Sequence, residues 1–384
     1  MSLDLSRRQG ISASQFVSTV SLAPNLTSLQ VALSGTDLIT DAFIALIAQV
    51  CPRLERLSLF DNLRYGGAEH HPLHVNAPRL TALPDSLSDL SNLQELSLQG
   101  CSDLTSVPEA IGQLLKLRAF PARDCSTLRS LPDALLCCTT MESLDLDLPN
   151  LASLPESMSQ LQSLRRLIVD RGFRALRLPA SFTLLCALEE LTLDVCLQQL
   201  PEGFETLTSL RRLELKCSEL THLPSSLLQL SLLEHLAIVG CDQMVSLRDT
   251  IGQLPALRVL RFSFLGNLES LPDSIGQLQQ LRSLTIECCD WLHVLPESLV
   301  LLSALETLEI LDCRMLSSLP EGIHLLTSLQ RLELCECPEI CELPDSISLY
   351  KALECVSIVE CRALTNIPVG IRHRVSVWMM CDVR

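Results

Sequence analysis

The chain has 384 residues, of which 47% are hydrophobic but only 3% aromatic, so its apolar volume is aliphatic and largely leucine. A net charge of −16 disfavours nucleic acid or an anionic membrane as the main partner, since neither is drawn to a negative surface, and makes a basic or neutral one the simpler expectation. No apolar run approaches the roughly 20 residues that span a bilayer, and the start, Met1 to Arg8, carries no apolar signal core. The expectation is therefore a cytoplasmic chain whose 18 cysteines are free thiols.

In chain order, residues 1–25 form an N-terminal cap and a repeat array follows over 26–371. Leu26, Leu54, Leu93, Leu117, Met141, Leu164, Leu188, Leu210, Leu233, Leu257, Leu281, Leu305, Leu329 and Leu353 each open a Leu-x-x-Leu-x-Leu segment, fourteen in all. Such short alternation reads as one strand per repeat, and a crossover between consecutive strands makes the sheet parallel. Residues 63–79 exceed the pattern and should bulge out as a loop. From Pro84 to Pro368 a Leu-Pro anchor or its equivalent recurs every 22 to 24 residues. After each anchor, as in Pro272-Asp-Ser-Ile-Gly-Gln-Leu278, proline and an acid favour a first helical turn, and Ile275 and Leu278 face inward. Residues 372–384 close the array, with Val375–Met379 as a candidate edge strand. The fold class is thus α/β: a solenoid with a parallel sheet on a concave face and short helices or 3₁₀ turns on a convex one.

This pattern resembles the leucine-rich repeat, whose horseshoe of about 14 repeats would cover nearly the whole chain. The 24-residue form at Leu305 to Leu326, with Cys313 and Gly322, is similar to the C-terminal repeats of plant intracellular immune receptors. The shorter repeat from Leu188 through Cys196 to Pro201 looks more like Ras-group scaffold repeats. The opening repeat, with Ile39-Thr-Asp41 and Cys51-Pro-Arg-Leu-Glu-Arg-Leu57, resembles the cysteine-containing repeats of F-box substrate receptors. The resemblance implies a non-catalytic protein-interaction module in signalling or innate defence. Its alternatives are the substrate-recognition subunit of a ubiquitin ligase and a scaffold that regulates a phosphatase or small GTPase.

Enzyme chemistry has no constellation here. With lysine only at 116, 216 and 351 there is no Gly-rich phosphate loop, and no nucleophile, base and orienting group converge on one strand. Neither a cofactor nor a metal is expected: His70, His71 and His74 read as solvated loop residues, and register should make Cys335, Cys337 and Cys341 diverge. Nine cysteines (Cys101, Cys125, Cys196, Cys217, Cys241, Cys289, Cys313, Cys337, Cys361) fall in the slot that closes each strand, where a small buried thiol packs. Cys288 and Cys335 should face solvent and be the reactive thiols.

Binding is expected on the strand face. At the second and third repeat positions, Arg165, Glu189, Arg211, Glu234 and Arg258, with Arg166, Glu190 and Arg212, alternate in sign, as cross-strand charge ladders do. The fifth, seventh and eighth positions are mostly acidic. Asp145, Asp147, Asp170 and Asp194 form one cluster; Glu287, Glu309, Asp312, Glu333, Glu336 and Glu360 form a second, with Arg261 and Phe264 between them as interface anchors. Like charges opposite one another weaken a sheet, so an unpaired acidic track is better explained by a basic protein ligand.

Overall fold

The computed structural model describes residues 2–5, 18–32, 41–60, 80–172, 178–247, 249, 251–349 and 353–378. The predicted loop 63–79, with its three histidines, lies outside them. The chain divides into two compact units, Met1–Glu190 and Leu191–Arg384.

The first unit carries β1 (Ser2–Leu5), β2 (Ser28–Ala32), β3 (Arg56–Phe60), β4 (Glu95–Gln99), β5 (Ala119–Arg123), β6 (Ser143–Asp147) and β7 (Arg166–Gly172). Each pairs in parallel with its successor. A helix, α1 (Asp41–Val50), crosses between β2 and β3. β8 (Glu190–Val195) falls at the boundary between units. The second unit holds β9 (Arg212–Lys216), β10 (His235–Val239), β11 (Val259–Ser263), β12 (Ser283–Glu287), β13 (Thr307–Leu311), β14 (Arg331–Cys335), β15 (Cys355–Val359) and β16 (Val375–Trp378), again parallel and sequential. Thus the segments before Leu26 and after 371 each contribute a strand of their own.

The repeat leucines make the core. Leu284, Ile286, Leu308 and Ile310 on the strands, and Ile275, Leu278 and Leu299 after the anchors, are all at most 1% exposed. The crossovers from β3 onward are 3₁₀ segments of 3 to 6 residues, because anchor and next strand leave too few residues for an α-helix to recover its nucleation cost. The anchor proline does not begin the turn as its sequence position suggests. Pro272 has φ −73° and ψ 149°, extended backbone, and caps a 3₁₀ segment that starts at Asp273. Neighbouring 3₁₀ segments approach so closely that Gly276 is required: a Cβ there would lie 2.4 Å from the Ser298 carbonyl oxygen.

The closing slot is buried as expected in Cys101, Cys125, Cys241, Cys289, Cys313, Cys337 and Cys361, whose thiols donate to strand carbonyls, as Cys313 does to Leu311 at 3.5 Å. Cys196 departs from this: it is half-buried, and Val195, one residue earlier, takes the slot at 2% exposure. Leu148 and Cys217 fill the same earlier position in the other short repeats. The longer repeats therefore insert one residue before the slot, and it adopts left-handed backbone: Gly100, Asp124, Gly240, Phe264, Cys288, Asp312, Glu336 and Glu360 have φ between 48° and 67°. This backbone is free for glycine but strained for other residues. It persists because the inserted N–H extends the sheet ladder, as Glu336 does by donating to the Val359 carbonyl at 2.8 Å.

Candidate functional site

Regular stacking brings equivalent positions of successive repeats side by side, so charge placement on the strand face follows from register. At the second and third positions the alternating charges do pair: Arg165 with Glu189, Arg166 with Glu190 and Arg211 with Glu234. Arg118 with Glu142 and Arg282 with Glu306 continue the ladder. These pairs are exposed and individually stabilise little.

The first acidic cluster is not the open track that its sequence implies. Asp145 and Asp147 are buried, 8% and 5% exposed. Arg123 on the preceding strand donates to Asp145 through Nε at 3.0 Å and again through its terminal nitrogen. That hydrogen bond, with the charges of Asp170 and Asp147, holds the Arg123 guanidinium above its usual range. Asp147 stands in register with Arg123 on one side and Asp170 on the other. The structure thus gathers Asp145, Asp147 and Asp170 near the half-exposed Arg123 guanidinium, while Asp194 belongs to β8.

In the second unit the acids divide into two sorts. Glu287 is neutralised: Arg261 Nη2 reaches its Oε2 at 2.6 Å, Ser263 Oγ donates to the same oxygen at 3.0 Å, and Arg261 Nε bonds Ser263 Oγ at 2.8 Å. Arg261 is therefore engaged within the sheet, whereas its predicted companion Phe264 stands 50% exposed at the first of five consecutive non-glycine left-handed positions. Asp312 is held by Arg314 Nε at 3.3 Å. The expectation of an unpaired track thus fails for Asp145, Glu287 and Asp312, because an arginine two positions or one repeat away reaches each carboxylate.

Glu309 and Glu333 are different. They face each other in register on β13 and β14, both half-buried, in a row running Thr285, Glu309, Glu333, Ser357. Glu309 accepts a hydrogen bond from Thr285 Oγ1 at 3.0 Å. Among the described residues no cation pairs with Glu309, Glu333, Glu336 or Glu360. Beside them, Asp312, Arg314, Glu336, Pro338, Glu360 and Arg362 line a shallow groove of about 220 Å³. Pro338 interrupts the cation row of Arg314 and Arg362 at the one repeat between them, which leaves Glu336 without the arginine that Asp312 has. The Cys-Arg, Cys-Pro, Cys-Arg succession at 313–314, 337–338 and 361–362 is the sequence signal for this gap, and it lies just beyond the strand positions.

The thiols on this face, partly accessible as expected, are held towards their protonated form. Burial, then the carboxylates of Asp312 and Glu287, push Cys288 up to about 11, and burial with Glu336 raises Cys335. A protonated thiol is a poor nucleophile. Cys337 is fully buried while Cys341 is exposed, so those two diverge as register predicts. Among the described residues no group of three metal-ligating side chains converges, and no helix is long and apolar enough to cross a membrane.

No protein-family model and no curated protein matches the chain. Solved structures do match its fold. An LRR protein of Leptospira interrogans is 25% identical over 88% of this chain and 90% of its own, with a TM-score of 0.55. An internalin of Listeria monocytogenes is 16% identical over 97% and 90%, with a TM-score of 0.56. TLR13, solved in complex with ssRNA13, is 18% identical over 94% of this chain but 57% of its own, with a TM-score of 0.57. The fold is the leucine-rich repeat solenoid.

Proposed function

We propose that the chain is a non-catalytic protein-interaction module that binds a basic segment of a partner protein on the strand face of its second unit. The observation that carries this reading is Glu309 opposite Glu333 in register without a cation. Like charges directly opposite weaken a sheet, so folding gives no reason to keep the pair. A lysine or arginine from a partner lying across β13 and β14 would relieve it, while Glu336 and Glu360 would guide approach. Arg314 and Arg362 on the groove accommodate an acidic neighbour in the same segment, which makes a mixed-charge ligand the best fit. Glu287 and Asp312, each already paired with an arginine, and Asp145, Asp147, Asp170 and Asp194 are not part of this reading, and Phe264 serves it as an exposed apolar contact. A cytoplasmic setting, argued from the thiol-rich composition, and a role in signalling or defence, which rests on the repeat resemblance alone, are part of the proposal.

Affinity capture with the wild-type chain and with the double variant Glu309→Arg, Glu333→Arg tests it. Partners should bind wild type, weaken steeply with added salt, and disappear with the double variant. Retention of the same partners by the variant refutes the reading.

A further inference from the structure

The 3₁₀ segments of the second unit, across the core from its strands, present a surface that the strand-face reading does not use. Five residues after the anchors at 224, 248, 272, 296, 320 and 344 the chain reaches an exposed position. It is held by Gln229, Gln253 and Gln277 in three consecutive repeats, each exposed. In the next three it becomes Leu301, Leu325 and Leu349, which are 59%, 52% and 67% exposed. The same structural position thus changes from amide to leucine over three adjacent turns of the solenoid. A single exposed leucine needs no explanation, whereas a contiguous row marks an interaction surface. The 3₁₀ segments that carry the three leucines pack against one another in chain order, and Val300, next to Leu301, and Leu325 both come within 3.4 Å of where a Cβ on Gly322 would stand.

The charge beside the row selects its occupant. Each leucine follows an exposed acid by four residues: Glu297 and Asp345 open the 3₁₀ segments of Leu301 and Leu349, and Glu321 stands two residues before the segment Ile323–Leu325. Among the described residues no ion pair engages these three. A second copy of the chain would set acid row against acid row and be repelled, as would nucleic acid or an anionic membrane. A partner must instead carry apolar and cationic side chains together. Spacing adds the form. Neighbouring repeats repeat at about 4.8 Å in the sheet, close to the ~5.4 Å pitch of an α-helix. A helix laid along the solenoid therefore offers one side chain per repeat, at i, i+4 and i+7.

We propose that Leu301, Leu325 and Leu349, flanked by Glu297, Glu321 and Asp345, dock a basic amphipathic helix of a partner protein on the 3₁₀ face. This site is separate from the strand-face site, and the two can be occupied together.

The test uses a fluorescent synthetic peptide of about 15 residues, with leucine at i, i+4, i+7 and i+11 and arginine or lysine elsewhere, titrated by anisotropy against the full chain. A scrambled peptide of the same composition is the control. The triple variant Leu301→Gln, Leu325→Gln, Leu349→Gln installs the residue that preceding repeats use at this position, so it folds, which circular dichroism verifies. The triple variant should bind the peptide at least tenfold more weakly than wild type, and wild type should bind the scrambled peptide at least tenfold more weakly. Glu309→Arg with Glu333→Arg should change peptide affinity less than twofold. Equal binding by wild type and the triple variant, or equal binding of the two peptides, overturns the proposal. So does a loss confined to the strand-face variant, or a wild-type dimer in sedimentation that the triple variant dissociates.

Discussion

Removing the charge of Glu333 should make the free protein more stable, which is the opposite of what most substitutions do. Glu309 and Glu333 stand on neighbouring strands in register, so their carboxylates lie about 5 Å apart by strand spacing. Two unit charges at that distance repel by about 0.8 kcal/mol in bulk water and about 3 kcal/mol at an effective dielectric of 20. Both side chains are half-exposed, which places the repulsion near the lower limit, at about 1 kcal/mol. Glu309→Gln and Glu333→Gln should each raise the urea midpoint by an amount worth about 0.5–1 kcal/mol at unchanged m-value. The double variant should gain less than the sum, because one substitution already removes the mutual repulsion. In 1 M salt, where the screening length is about 3 Å, the gains should vanish. Neutral or destabilising single variants at low salt, or gains that survive 1 M salt, would refute the argument that the fold holds this pair against its own interest.

Further outcomes follow from particular contacts. Gly276→Ala should destabilise by about 2 kcal/mol or more in thermal unfolding, since its Cβ would meet the Ser298 backbone oxygen at 2.4 Å and backbone cannot give way cheaply. Gly322→Ala should be nearly neutral by comparison, its nearest neighbours being the flexible Val300 and Leu325 side chains at 3.3 and 3.4 Å. Glu336→Gly should stabilise by about 1 kcal/mol in urea unfolding by relieving left-handed strain, while weakening partner binding. Cys288, pushed up to about 11, should alkylate slowly at pH 8 and speed up towards pH 11, whereas the exposed Cys355 reacts at once, as mass spectrometry of labelled peptides would show. Burial likewise raises Cys241 from 9.0 to about 11. Its contribution to stability is complete below pH 9 and is lost as pH climbs through 11, by about 3 kcal/mol, readable as a falling melting temperature.

Sequence alone determined the parallel strand of each repeat, its register, the buried leucine core, seven of the nine closing thiols and the charge ladder of Arg165 with Glu189. All of these depend on a local pattern and a near-constant spacing, and in a solenoid each repeat meets only its neighbours, so position in the period is position in space. Tertiary structure decided the rest. Whether an acid is free depends on side-chain reach between repeats: Arg123 folds over Asp145, Arg261 over Glu287 and Arg314 over Asp312, although none occupies its partner's repeat position. Period counting also could not see that the extra residue of the longer repeats turns left-handed, aiming Phe264, Glu336 and Glu360 away from the strand direction. Nor could it rank Leu301, Leu325 and Leu349 apart from the buried leucines around them, because hydrophobicity is written in the sequence while exposure is set by which neighbour closes over each side chain.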